Sequence, residues 1–230
     1  MPIKALVFDC GGVLLRDRDA SAYDRWEHKL NLERGELKLR LWESANWARA
    51  EIGELSESEF WAQAGRELGL DSAEASRLAR DLWHSWAVDP VVLSLIDKAR
   101  SRFRVAMLSN ATDALEAILE TRYGIGDRFE SIVNSARVGI AKPAEGIYRH
   151  LLAALGVQAN EVVFIDDRAE NIAAAAQLGI HVIWYVNADE LERQLAAYLR
   201  VNGTEADATT AAESHRQEMP DPTPSVAQVR

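Results

Sequence analysis

The chain opens with an unbroken apolar run, Ala5-Leu6-Val7-Phe8, which stops at Asp9 and is followed by Cys10, the pair Gly11-Gly12 and a second apolar trio, Val13-Leu14-Leu15. A run of β-formers without polar alternation is the pattern of a strand buried on both faces of a parallel sheet. The glycines mark a tight turn at its C-terminal end. Beyond residue 15 the apolar spacing changes to three and four, which predicts amphipathic helices over 19–32, 36–51, 57–68 and 73–86. Ser56-Glu57-Ser58-Glu59 and Asp71-Ser72-Ala73-Glu74 read as capping boxes at two of the helix starts.

Asp89-Pro90 breaks this helical block, and strands and helices alternate from there on. Helix 91–101 leads to strand 103–108, which ends at Ser109-Asn110; helix 113–121 and a short strand near 131–133 follow. Pro143 is expected in the first turn of helix 144–155, behind Lys142. Strand 162–165 ends at Asp166-Asp167, and helix 170–178, strand 181–186 and helix 188–200 complete the series. Short connections between such units require right-handed crossovers. The predicted fold class is therefore α/β, a Rossmann-like doubly wound parallel sheet with an inserted all-helical block. Residues 1–15 and 90–201 are expected to form the core and 16–89 a helical cap. Residues 202–230 hold three of the six prolines and no aromatic residue, too little apolar surface to order them, and are expected to be a disordered tail.

Composition narrows the function. The 230 residues suffice for one or two domains, and no run of about 18 apolar residues exists to cross a bilayer. Met1-Pro2-Ile3-Lys4 passes straight into the first strand, so no signal peptide is expected and a cytoplasmic location follows. The single cysteine, Cys10, excludes an internal disulfide and a Cys-based zinc site; no histidine lies near it, and it reads as packing. With 26 basic against 36 acidic residues the net charge is −10, which disfavours nucleic acid and anionic membrane as partners. An anionic substrate must then be met by local positive charge. Six of the seven tryptophans, Trp26, Trp42, Trp47, Trp61, Trp83 and Trp86, fall in the helical block and are expected mainly as its core.

Four signals stand at strand ends or loops: Asp9, Ser109-Asn110, Lys142 and Asp166-Asp167. A parallel sheet gathers its C-terminal strand ends at one edge, where ligands bind. Taken singly, Asp9 reads equally as a turn cap and Lys142 as a solvated lysine. Three clustered carboxylates, however, repel unless a cation joins them. Mg²⁺ suits such hard oxygen donors, and it leaves part of its shell for water and a substrate phosphate. Lys142, the Ser109 hydroxyl and the Asn110 N–H would grip phosphate oxygens.

In order and spacing, these motifs resemble the haloacid dehalogenase-like hydrolase superfamily over about residues 3–200, and the early helical insertion resembles its small-cap subfamily. Val138-Gly139-Ile140-Ala141-Lys142-Pro143 and Phe164-Ile165-Asp166-Asp167-Arg168-Ala169-Glu170-Asn171-Ile172 are similar to bacterial α-D-glucose-1-phosphate phosphatases and to the phosphatase domain of soluble epoxide hydrolases. The resemblance implies that Asp9 is the nucleophile, that Ser109 and the Asn110 backbone bind phosphate, and that Lys142 steadies both. It implies Mg²⁺ held by Asp9, the Gly11 carbonyl and Asp167, with Asp166 direct or through water, and Asn171 behind them or simply on the helix surface.

One position departs from the family pattern. The Asp usual two residues after the nucleophile, a general acid and base, is Gly11 here. Such a group is worth about 10²- to 10⁴-fold in rate. The substrate then needs an easy leaving group, as in an anomeric or acyl phosphate such as glucose-1-phosphate, or Asp17 or a metal-bound water must substitute. The implied function is a Mg²⁺-dependent phosphatase of a small phosphorylated metabolite. The alternatives are a 2-haloacid dehalogenase, disfavoured by the paired Asp166-Asp167 and the absence of Tyr at position 11, and a catalytically weakened binding or regulatory protein. Segment 47–55, around Gly53, is the one expected to point inward, where Trp47 and Arg49 read either as substrate contacts or as packing and solvated surface, with hinge loops at 16–19 and 88–90. Nothing in the sequence sets an oligomeric state.

Overall fold

The computed structural model describes residues 2–200, so the tail expected over 202–230 lies outside the described residues. The chain runs through β1 (Ala5–Phe8) and a short β2 (Leu15–Asp17) into five helices: α1 (Ser21–Leu30), α2 (Glu36–Trp42), α3 (Ala45–Glu51), α4 (Glu57–Glu67) and α5 (Ser72–Ser85). A short β3 (Trp86–Val88) leads to α6 (Pro90–Ala99), β4 (Arg104–Ser109), α7 (Leu115–Thr121), β5 (Ser131–Asn134) and α8 (Ser135–Val138). Then come α9 (Glu145–Leu155), β6 (Val162–Asp166), α10 (Ala169–Gln177), β7 (His181–Trp184) and α11 (Ala188–Arg200).

Five of the strands make one parallel sheet in the order β5-β4-β1-β6-β7, with β1 at its centre. All four residues of β1 are fully buried, and they alternate between the two faces as strand geometry requires. Leu6 and Phe8 join a core built with Val92, Leu95 and Ile96 of α6, Leu119 of α7 and Leu195 of α11. Ala5 and Val7 face Ile147, Tyr148 and Leu151 of α9 and Ile172 of α10. Burying a side chain the size of Leu6 or Phe8 stabilises by about 1.5–3 kcal/mol each. The two-sided core is thus the reason the predicted doubly wound sheet forms. Register aligns Phe8 with Met107 on β4 and Ile165 on β6, and Asp9 N–H still bonds the Ile165 carbonyl at 2.9 Å. Asp9, Ser109 and Asp166 therefore emerge at one edge.

Helices α1 to α5 enclose a core of their own, with Trp26, Leu37, Leu41, Phe60 and Leu78 buried. Both capping boxes form, Ser56 with Glu59 and Asp71 with Glu74. The single helix expected over 36–51 is instead two. Ser44 adopts an extended conformation, accepts from Trp47 N–H at 3.0 Å and donates to the Leu41 carbonyl at 2.8 Å, which ends α2 and caps α3. Part of each expected hinge loop is strand instead: β2 and β3 pair as an antiparallel ribbon, Leu15 with Val88 and Asp17 with Trp86, while residues 18–19 and 89 stay outside it. Their partners lie far apart in sequence, so neither three-residue strand carries a local signal. Pro143 stands before the N-cap Ala144 rather than in the first turn of α9.

Two of the contacts between the helical block and the sheet edge lie close to the ends of β4 and β5. Glu57 on α4 accepts from the indoles of Trp61 and Trp83 and from the Thr112 hydroxyl, while its own N–H bonds Asp113 at 2.8 Å. Gly53, at φ +76°, lies against the backbone of Ala136, whose carbonyl would stand 2.3 Å from an added Cβ.

Candidate active site

The carboxyl ends of β1, β4 and β6 and the loop ahead of α9 converge on the Lys142 ammonium. Its Nζ lies 2.8 Å from Asp9 Oδ1 and 2.7 Å from Asp166 Oδ2, and it donates to the Leu108 carbonyl at 3.0 Å. The side chain is 1% exposed, so the solvated-lysine reading is excluded. Asn110 fixes the segment that carries it: its side-chain amide donates to the Lys142 carbonyl at 2.9 Å and accepts from Lys142 N–H at 2.8 Å. Sequence reasoning used only the backbone of Asn110. Its side chain turns out to be the clamp.

Asp9, Asp166 and Asp167 each bring a carboxylate oxygen within 4.8 Å of the others. Their surroundings differ. Asp166 is fully buried; Oδ1 accepts from Arg168 N–H at 2.8 Å, and the Asn171 amide spans both oxygens at 3.0 and 3.1 Å. Asn171, itself buried, is thus an orienting group for Asp166 and not a surface amide. Asp9 Oδ1 accepts from Cys10 N–H at 2.7 Å as well as from Lys142, and Oδ2 takes no hydrogen bond from the described residues. The oxygens left for a cation are mainly those of Asp9 and Asp167, while Asp166 is held by donors. An all-carboxylate, hard-oxygen set with one member already saturated fits Mg²⁺. Gly12 makes the arrangement possible: at φ +87°, a Cβ there would stand 2.2 Å from Asp167 Oδ2.

The electrostatics follow from burial. Desolvation pushes the Asp9 carboxyl up to about 7, Lys142 opposes this, and the neighbouring acids add to it. Asp167 is raised as well, by burial and by Asp166. Burial works to lower Lys142, but Asp9 and Asp166 outweigh it and the ammonium is held above its usual range. Burial, then Asp9, drives the Cys10 thiol upward, so it stays protonated and packs, as expected.

A cavity of about 340 Å³ opens on this group and is lined by Asp9, Ser109, Lys142 and Asp167 among others. Its other walls bear on several expectations. Trp26 and Trp61 are buried and Trp42, Trp47 and Trp83 pack against the helical core, as expected of most of the six, and Trp42, Trp47, Trp83 and Trp86 also present a face to the cavity, which had been expected of Trp47 alone. Arg49 does not line it; the side chain is exposed and ion-paired with Glu54 at 3.2 Å. Asp17 is absent from the lining too, because its carboxylate is turned to Lys38 at 2.8 Å.

Glu51, Arg168, Leu115 and Ile118 line the cavity and went unnoticed in the sequence. Arg168 directly follows the Asp pair, which is a usable signal, whereas Glu51 is one of many helix carboxylates. Burial raises Glu51, and the Trp47 indole, Arg168 and Lys142 temper the shift.

The family described as haloacid dehalogenase-like hydrolase matches residues 3–179. Acyl-CoA dehydrogenase family member 10 of Mus musculus is 29% identical over 85% of this chain, which spans 19% of that protein's length. A sesquiterpene phosphatase of Aspergillus oryzae is 27% identical, covering 77% of this chain and 87% of its own length. A D-ribitol-5-phosphate phosphatase of Bacteroides thetaiotaomicron is 26% identical over 86% of this chain and 98% of its own. Among solved structures, an enzyme of the same family from Bacteroides thetaiotaomicron, in complex with magnesium and inorganic phosphate, superposes with TM-score 0.65 at 23% identity over 79% of this chain and 93% of that one.

Proposed function

The chain belongs to the haloacid dehalogenase-like hydrolase family, and from that premise we propose that it is a Mg²⁺-dependent phosphatase of small phosphomonoesters that works through a phosphorylated Asp9. The observation that carries this reading is the buried Lys142 bridging Asp9 and Asp166 beside Asp167, with Asp9 Oδ2 unclaimed next to the cavity. Two relatives that match most of their own length are phosphatases.

In this reading Asp9 Oδ2 attacks phosphorus, the ester P–O bond breaks and the alcohol leaves with a proton. Water then attacks the same phosphorus, the P–O bond to Asp9 breaks, and orthophosphate and the free carboxylate are restored. Mg²⁺ would supply positive charge that stabilises the phosphate and lets the acids stay ionised together. Asp9, Asp167 and the Gly11 carbonyl would hold it, with Asp166 as their donor-anchored neighbour. Lys142 keeps Asp9 aimed, and Ser109 with the Asn110 N–H grips the phosphate. Residues 16–89 act as the cap over core residues 1–15 and 90–201, with the β2–β3 ribbon as their stem.

The proton that Gly11 cannot provide is assigned to Glu51, whose half-buried carboxyl lines the same cavity and is raised by burial. An anomeric ester such as glucose-1-phosphate would also relieve the demand for that proton, although the cavity walls offer its hydroxyls few partners.

The test is phosphate release from sugar, nucleotide and acyl phosphates with Mg²⁺, beside Asp9→Asn. Turnover that EDTA and Asp9→Asn both abolish is expected. Halide release from a 2-haloacid that EDTA leaves untouched would overturn the reading in favour of dehalogenation. Mg²⁺ and phosphate binding without turnover of any ester would instead mark a binding protein.

A further inference from the structure

Resting on the phosphatase reading, we propose that the accepted ester carries an apolar, hydroxyl-poor alcohol, seated among Trp42, Trp47, Trp83 and Trp86. These four indoles, with Leu115 and Ile118 of α7, line the same cavity as Lys142. Polar atoms around them are already engaged. Trp42 Nε1 donates to the Tyr23 hydroxyl at 2.9 Å, Trp83 Nε1 donates to Glu57 at 2.6 Å, and the Thr112 hydroxyl donates to the same Glu57. What the four indoles, Leu115 and Ile118 leave for a ligand is chiefly ring carbon and aliphatic surface, and Glu51 and Arg168 are charged side chains that line the same cavity. A sugar or polyol would bury hydroxyls against that apolar surface without partners, each weakening binding by about one to two orders of magnitude.

Gly11 supplies a second, independent observation. A Cβ at this position would stand in ordinary van der Waals contact with Trp86, 3.8 Å from its Cζ3, so an indole carbon borders the place where the absent acid would begin. Size agrees: an apolar cavity of about 150 Å³ takes up one benzene ring, and 340 Å³ holds a phosphate together with a body of one to two rings or the equivalent alkyl chain.

The experiment uses the unaltered protein with Mg²⁺. Non-hydrolysable n-alkylphosphonates of two to twelve carbons are titrated calorimetrically, and kcat/KM is measured for the matching n-alkyl phosphates and for glucose-6-phosphate and a pentitol phosphate. Affinity and kcat/KM are expected to rise by up to about fourfold per methylene until the cavity is full. Binding should show a negative heat-capacity change, and the hydroxylated esters should be poorer by at least about 100-fold. A response independent of chain length, or hydroxylated esters turned over as well as alkyl ones, overturns the proposal. Phosphate release from none of the esters refutes the phosphatase reading instead, and the phosphonate series then still decides what the cavity holds.

Discussion

Lys142→Met keeps the aliphatic stem of the lysine and removes its charge, and the geometry says what that costs. The ammonium is 2.8 Å from Asp9 and 2.7 Å from Asp166, with all three groups buried. Removing one partner of a buried pair costs about 3–5 kcal/mol, because the remaining charge has neither water nor a counterion. The loss also depends on pH. In the metal-free protein the Asp9 carboxyl keeps its proton up to about 7, and without Lys142 it keeps it to higher pH still. At pH 6 Asp9 is mostly protonated in both proteins, and the loss there reflects the hydrogen bonds that Lys142 made to Asp166 and the Leu108 carbonyl. Above pH 7 the folded variant binds more protons than the folded wild type, so its stability falls faster as pH rises. Two pH units at about 1.4 kcal/mol each add at most about 3 kcal/mol by pH 9. Urea unfolding followed by tryptophan fluorescence in EDTA, at pH 6 and pH 9, measures both quantities. A variant folded at pH 6 and unfolded at pH 9 is the same outcome in stronger form. A destabilisation equal at the two pH values would show that Lys142 does not neutralise Asp9, and the electrostatic account of the site would fail.

In metal-free protein Asp9 alone should take away about 4 kcal/mol of stability between pH 4 and pH 7 relative to Asp9→Asn, since a carboxyl raised in the folded state binds its proton there more tightly than in the unfolded chain. Saturating Mg²⁺ should flatten that slope, and identical slopes with and without the ion would count against a cation among these acids. Gly12→Ala places a Cβ on Asp167 at φ +87° and should displace that carboxylate, weakening Mg²⁺ activation by at least about 10-fold; an unchanged activation midpoint would contradict this. Glu51→Gln should slow alkyl-ester turnover by about 10²-fold or more and remove the alkaline fall in kcat/KM. It should spare p-nitrophenyl phosphate, whose leaving group needs no proton, and an equal loss on both substrates would dismiss the acid role. Arg49→Ala, on an exposed side chain outside the cavity, should change stability by no more than about 0.5 kcal/mol and leave kcat/KM as it was.

What the sequence alone determined is local or periodic. Ala5 to Phe8 had to be a doubly buried strand because no polar residue interrupts it, and Ser56 and Asp71 had to start helices because each carries its reciprocal Glu three residues on. Asp9, Ser109 and Asp166 could be placed on one edge because parallel strands share a direction, so their C-terminal ends share a side. Tertiary structure decided whatever depends on two distant stretches meeting. The β2–β3 ribbon exists only because Leu15 finds Val88, Asp17 is spent on Lys38, and Asn110 closes on Lys142. Above all, a tryptophan at helical spacing looks the same whether its ring turns to a helical core or to a cavity. Which way Trp42 and Trp86 present a face was decided by where the helical block docks on the sheet edge, through Glu57 and Gly53. Periodicity specifies the face a residue occupies on its own element; what lies opposite that face is set by packing between elements, which no single stretch of chain encodes.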